Sequence, residues 1–376
     1  MTAALKELSG IYFHIPFCRK RCLYCDFFST EISDPEIKKL YGDSLLAELK
    51  QRFHELDGTE PVSVYFGGGS PSSMPPSFFN DFCNFTEAIG LDLSKLEVTV
   101  EVNPADVDRG WISNLKSCGV NRLSVGIQAF DDAVLTEMGR RTTEADILRG
   151  VPVFAGYFDN ISFDFIYGIG KNRNIYNEFS RLFEICGPKH VSAYQYTRPD
   201  RKSAPELLDD DETAAQEDEI REFLQSRGFY RYEISNYAQK GFESRHNLLY
   251  WSYGSWLGIG AGAASFIAKT GLHSRYADDV KAFIEGSGLS SYRPAETELA
   301  EEFLLMGLRK KDGININDFN ELFGEKQTSV FRSGSFVKLL DGGFLKKTDN
   351  GERLFCTEKG SRYLDHVLLE LFKELE

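Results

Sequence analysis

Three cysteines stand close together in Ile11-Tyr-Phe-His-Ile-Pro-Phe-Cys18-Arg-Lys-Arg-Cys22-Leu-Tyr-Cys25-Asp-Phe-Phe. Their Cys-x3-Cys-x2-Cys spacing lets one short loop curl around a single metal centre. Thiolates are soft ligands that suit zinc or an iron–sulfur cluster. Structural zinc takes four ligands and commonly adds a second cysteine pair elsewhere, and no second pair is present here. A [4Fe–4S] cluster has four irons, each wanting a ligand. Three cysteines would leave one iron open, which is how a metal site keeps room for a substrate. Zinc, and three unrelated cysteines on a loop, are the alternatives. Cys83, Cys118, Cys186 and Cys356 follow no spacing pattern and read as small buried hydrophobes in a reducing compartment.

The elements that must position this loop alternate. An apolar run rich in β-formers precedes the cysteines and stops at Pro16. Pro35 to Leu56 has helical spacing through Leu40, Leu45, Leu46, Leu49 and Phe53. Further strands are expected at Val62–Phe66, Leu96–Val102, Arg122–Gln128, Ile161–Tyr167 and His190–Tyr196. Helices are expected near Pro76–Ile89, Asp108–Ser117, up to Val153, and Tyr176–Ile185. Six strand–helix alternations predict an α/β fold with a parallel sheet and crossover helices. The cysteine loop, Gly67-Gly-Gly69, Glu101 with Asn103, and Gln128 all fall at C-terminal strand ends, the rim that carries the active site in β/α barrels. The glycines permit close approach of backbone to a ligand, or simply a tight turn. Asp164 points opposite to Phe163 and Phe165, and a carboxylate inside a barrel needs a partner, whether a ligand group or a salt bridge.

The chain has 376 residues, 42 % of them apolar, so a sizeable core is possible. Lys and Arg number 43 against 57 Asp and Glu, a net charge of −14. That balance argues against nucleic acid or an anionic membrane as the main partner. The N-terminus shows no secretory signal, and no apolar stretch is long enough to span a bilayer. A cytoplasmic protein is expected. An acidic helix is expected over Asp209–Gly228 and a strand over Tyr232–Tyr237. Gly258-Ile-Gly260-Ala-Gly262-Ala263 fits a loose dinucleotide pattern, but aromatic, turn-like sequence precedes it instead of a clean strand. From Pro294 the texture changes to helices and a hairpin, which suggests a winged-helix-like module. Three domains are expected, over residues 1–208, 209–293 and 294–376.

The cysteine spacing, with Tyr12 before it and Tyr24 inside it, resembles the radical S-adenosylmethionine (SAM) superfamily. The resemblance implies a partial (β/α)6 barrel, a [4Fe–4S] cluster on Cys18, Cys22 and Cys25, and SAM chelating the open iron. In that superfamily SAM is cleaved to a 5′-deoxyadenosyl radical. Val125-Gly-Ile-Gln128, Tyr232-Glu-Ile-Ser-Asn236, His246-Asn-x-x-Tyr250-Trp251 and Leu257-Gly-Ile-Gly260 narrow it further. Together they look like the HemW type of heme chaperone, the sister of oxygen-independent coproporphyrinogen III dehydrogenase (HemN). The resemblance implies SAM contacts from Tyr12, Tyr24, Gly68, Gly69, Ser70, Glu101, Gln128, Arg140 and Asp164. It implies heme as a ligand and a heme-accepting client protein as a partner. His246 is the candidate heme ligand, or else it bonds a loop under the rim; His14 is its competitor. The dehydrogenase type has a further cysteine two residues after the third, where this chain has Phe27. It also has a longer N-terminal segment. The chain departs from the family at Ser244, Ala264 and Ile169-Gly-Lys-Asn172. A coproporphyrinogen III oxidase-like enzyme in porphyrin biosynthesis is the runner-up, and a radical SAM enzyme on another substrate, such as a porphyrin methyltransferase, is third.

Overall fold

The computed structural model describes residues 8–106, 108–200 and 204–375. The start of the chain that was read for a secretory signal, residues 1–7, lies outside the described residues. Among the described residues no helix is long and apolar enough to cross a membrane.

Six strands and their crossover helices follow the expected alternation. They are β1 (Leu8–Ile15), α1 (Pro35–Arg52), β2 (Glu60–Gly68), α2 (Pro76–Ala88), β3 (Glu97–Val102), α3 (Arg109–Ser117) and β4 (Arg122–Gln128). Then come α4 (Asp132–Glu137), α5 (Glu144–Ala155), β5 (Ile161–Tyr167), α6 (Ile175–Ile185) and β6 (His190–Gln195). The first helix shows why the sequence commits locally. Asp34 caps it by accepting from the Glu36 N–H, Pro35 sits in the first turn, and Lys50 and Arg52 sit in the last.

Strands β1 to β6 pair in order, all parallel. Alternation splits their side chains cleanly. One face carries Phe13, Phe66, Val100, Val125, Phe163 and Val191, all buried. It packs on the helices, with the Phe13 and Phe66 rings stacked 4.8 Å apart and Phe82 of α2 edge-on to Phe66 at 5.0 Å. The opposite positions, facing the barrel interior, are polar: Ser63, Glu97, Thr99, Arg122, Ser124, Ser162, His190 and Ser192. A barrel lined this way has a dry outer core and a hydrogen-bonding lumen.

The acidic helix α7 (Asp210–Ser226) follows. The continuous strand expected over Tyr232–Tyr237 is instead a hairpin, β7 (Tyr230–Arg231) against β8 (Asn236–Ala238). The Glu233 carboxylate accepts from the Ser235 N–H at 2.9 Å and turns the chain, so residues 233–235 leave the ladder. Helix α8 (Arg245–Trp251) precedes β9 (Ser255–Ile259), which adds beside β1 as a further parallel strand. The sequence hides β9 because it is short and carries Gly258. The glycine run after it leads into β10 (Ala264–Ile267), antiparallel, instead of into a helix. A nucleotide-type helix N-terminus is therefore not built there. Strands β11 (Leu272–Tyr276) and β12 (Leu289–Tyr292), with α9 (Val280–Ile284) between them, complete a twelve-stranded open sheet.

The C-terminal part holds α10 (Glu296–Gly307), β13 (Ile314–Asn315), α11 (Ile316–Thr328) and α12 (Gly334–Asp341). The hairpin β14 (Leu345–Lys347) and β15 (Arg353–Cys356) follows where expected, and β13 pairs with β15. The last helical stretch breaks at Tyr363 into α13 (Glu358–Arg362) and α14 (Leu364–Phe372). A second hydrophobic core, centred on Phe303, Phe319, Phe331, Phe336 and Leu371, joins these elements and also takes in Tyr253 and Phe266.

Candidate functional site

The cysteine loop leaves the end of β1 and is pinned at three points. Phe17 and Thr30 form an isolated bridge, with Cys18 N–H donating to Thr30 O at 2.9 Å and Thr30 N–H to Pro16 O at 2.7 Å. Leu23 N–H donates to Met138 O at 3.0 Å. The imidazole of His14 contacts the Phe28 carbonyl through Nε2 at 2.9 Å. The loop passes so close to the end of β2 that a Cβ on Gly69 would stand 2.8 Å from Ile15 O and 3.0 Å from Cys18 Sγ. Gly68, at φ +107, faces the His14 ring at 2.5 Å in the same way. Glycine is required at both positions by close approach.

A cavity of about 480 Å³ opens beneath this loop. Cys18, Cys22 and Cys25 line it together with Tyr24, Gly68, Gly69, Ser70, Glu101, Gln128, Arg140 and Asp164. Five separate strands or strand ends thus deliver the expected residues to one rim. Phe27 stands at the same cavity and is 67 % exposed. Among the described residues no three His, Cys, Asp or Glu side chains converge as they would around one metal ion. A four-iron cluster asks for something else, one thiolate at each of three separate irons. Three thiols lining one cavity match that count.

The remaining lining groups fit a zwitterionic ligand. Arg140 donates from Nη1 to Tyr24 Oη at 3.0 Å and from Nη2 to Gly126 O at 2.5 Å, while its buried Nε has no partner. A guanidinium held this way has a donor left for a carboxylate. Glu101 accepts from Tyr65 Oη at 2.9 Å and from the Gly68 N–H at 3.1 Å. Burial, with the charge of Asp164 adding, pushes its pKa up to about 7. Asp164 accepts from Ser124 Oγ at 2.9 Å, and burial raises its pKa as well. Two buried carboxylates with raised pKa values are suited to accept hydrogen bonds from hydroxyl or ammonium groups.

Gln128 is held in a left-handed conformation, φ +67, at an irregularity in the β4–β5 register. A buried clamp supports it. Arg173 donates to Gln128 O at 3.3 Å and Ile166 O at 2.6 Å, and pairs with Glu178 at 2.5 Å. Glu178 in turn accepts from the Phe130 N–H at 2.6 Å. This clamp, and the lining residues Tyr65, Ser124 and Tyr194, were missed in the sequence. The inward alternation from Glu101 and Asp164 could have found the lining residues. No spacing signal marks Arg173.

Two expected residues lie elsewhere. Tyr12 is not at the cavity; its hydroxyl meets His14 Nδ1 at 3.0 Å, one level deeper in the barrel. His246 on α8 plugs the opposite end. Its Nδ1 meets Ser63 Oγ at 2.8 Å and its Nε2 meets Tyr250 Oη at 2.7 Å. The ring is 1 % exposed and stacks on Tyr65 at 5.0 Å. Burial, helped by Arg122, lowers its pKa to about 3, so it is neutral. An iron ligand here would have to break one of two buried hydrogen bonds. The competitor His14 has both nitrogens engaged as well. Ser244, where the family often has cysteine, caps α8 by accepting from the Asn247 N–H.

Comparison with known proteins agrees with this geometry. The radical SAM superfamily matches residues 12–179, and the HemN C-terminal domain matches residues 295–363. The heme chaperone HemW of Lactococcus lactis is 30 % identical over 95 % of this chain and 95 % of its own. The chain belongs to the HemW family. A mouse relative, the mitochondrial radical S-adenosyl methionine domain-containing protein 1, is 32 % identical over 98 % of this chain and 88 % of its own. The solved structure of coproporphyrinogen III oxidase (HemN) from Escherichia coli, a radical SAM enzyme, superposes with a TM-score of 0.81 at 18 % identity. It covers 97 % of this chain and 90 % of that one, and shows the fold. As radical SAM proteins, HemW-family members take a [4Fe–4S] cluster and SAM.

Proposed function

We propose that the protein is a cytoplasmic heme chaperone that holds a [4Fe–4S] cluster on Cys18, Cys22 and Cys25, binds SAM beside it, and hands heme to a client protein. The observation that carries the reading is the full-length likeness to HemW combined with a cavity that gathers the three thiols and their polar neighbours. When bound, a cluster with one open iron supplies a coordination position for SAM and an electron. The chain's own residues do the rest. Arg140 and Tyr24 receive the carboxylate end of SAM. The backbone at Gly68, Gly69 and Ser70 lets its amino group approach. Glu101, Gln128 and Asp164 accept from its remaining polar groups. Phe27 stands where the dehydrogenase type has another cysteine, which speaks against the oxidase alternative. The test is transfer. Reconstituted protein loaded with hemin should pass it to an apo-hemoprotein, followed by the shift of the Soret band. Hemin that stays on the protein, or never binds, overturns the reading.

A further inference from the structure

A second cavity, of about 620 Å³, lies between the β7–β8 hairpin and the C-terminal sheet. Five cationic side chains line it, Arg231, Arg309, Lys311, Lys346 and Arg353, against the three anionic side chains of Glu233, Asp312 and Glu358. The whole chain carries −14, so a cation-rich cleft runs against its general charge. Ile234 and Phe355 supply apolar wall between the charges.

Arg309 is the group that points to a ligand. Its guanidinium lies over the Trp251 ring, 4.5 Å from the centroid. The Glu233 carboxylate is 3.9 Å away, beyond hydrogen-bond reach, and its side chain is fully buried. Arg309 Nε and Glu233 Oε2 are both buried without a hydrogen-bond partner. The unmade Arg309 bond is costly unless something supplies an acceptor, as the Glu233 oxygen, itself an acceptor, does not at this distance. Trp251 belongs to the His246-Asn-x-x-Tyr-Trp motif, so the motif reaches this cleft through the Trp251–Arg309 stack and not through His246.

We propose that this cleft seats the carboxylates of a porphyrin, with Arg309 and Lys311 as the anion-binding pair. The proposal rests on the heme reading above and adds where the heme is held. Two observations favour a porphyrin over a small anion. The cleft is large and partly apolar, as a flat amphiphilic dianion requires. The cysteine cavity, at about 480 Å³, has a cluster and SAM to hold, and a pocket of that size takes about one ligand of drug size. The two candidate histidines of the barrel offer no ready anchor, since His246 and His14 have every ring nitrogen engaged.

The test is hemin titration of the full-length, cluster-reconstituted protein, read by Soret absorbance. It compares wild type with Arg309→Gln/Lys311→Gln. A second variant, Lys311→Glu/Lys346→Glu, changes only exposed side chains and guards against a folding defect. Loss of charge-assisted bonds to carboxylate should raise Kd about tenfold or more in both variants, and added salt should narrow the gap. Heme with both propionates esterified should bind all three proteins alike and more weakly than free hemin binds wild type. Equal hemin affinity in all three proteins, or ester and acid bound equally well by wild type, overturns the site. Failure of wild type to bind hemin at all overturns the heme reading and the site with it.

Discussion

Replacing Glu101 with glutamine should change how stability depends on pH, and the structure gives the size of the effect. The folded pKa of about 7 lies above the ordinary 4.5, with burial the first cause and Asp164 the second. Folding therefore favours the protonated acid. The stability this contributes is complete below the ordinary value and is lost as pH rises through about 7. The difference between the two values corresponds to about 3 kcal/mol. Glutamine resembles the neutral acid in shape. It keeps an acceptor for Tyr65 Oη but presents N–H to the Gly68 N–H, which now bonds Glu101. That lost bond costs about 1 kcal/mol, and it costs the same at every pH. Urea unfolding of the cluster-free protein should find Glu101→Gln slightly less stable at pH 5. By pH 8 it should be more stable than wild type, a relative swing of about 3 kcal/mol. A constant offset between the two proteins from pH 5 to 8 would refute the idea that Glu101 is buried against its charge.

Three further outcomes are expected. Cys18→Ala, Cys22→Ala and Cys25→Ala should each abolish iron–sulfur absorbance after reconstitution, while alanine at Cys83, Cys118, Cys186 or Cys356 should leave it intact. Arg173→Met leaves Glu178 buried and unpaired, so urea unfolding should show a loss of about 3–5 kcal/mol; Glu178→Gln, milder, should weaken SAM binding by equilibrium dialysis while the cluster spectrum stays unchanged. His246→Ala removes two buried hydrogen bonds and a ring stack, and should cost about 2–4 kcal/mol of stability with hemin affinity unchanged, measured by titration.

Much of this arrangement was legible in the chain because the cysteine loop and the strand ends are local features. Cys18, Cys22 and Cys25 are neighbours in sequence, Gly68, Glu101 and Gln128 each sit at or near the end of a β-rich run, and Asp164 faces inward from the middle of one. Parallel pairing then brings such residues to one rim without further information. What the sequence hides is depth. Tyr12 and His14 both point into the barrel, yet Tyr12 does not reach the cavity, because its hydroxyl is turned to His14 Nδ1. His246 has a heme ligand's residue type, but its role is decided by Ser63, 183 residues away, and by Tyr250. The Arg173–Glu178 clamp sits where the chain departs from its family's usual segment, so motif comparison passes over it. The β7–β8 hairpin was read as one strand because its turn residue, Glu233, works through a side-chain bond and not through glycine or proline.

In its proposed role this protein handles heme and does not make its precursor. The direct measurement offers anaerobically reconstituted protein SAM, a reductant and coproporphyrinogen III, then analyses the tetrapyrroles by chromatography. Phe27 in place of the further cysteine predicts unchanged coproporphyrinogen III, while a parallel sample binds hemin. Sustained formation of protoporphyrinogen IX would contradict the account and make the oxidase reading the correct one.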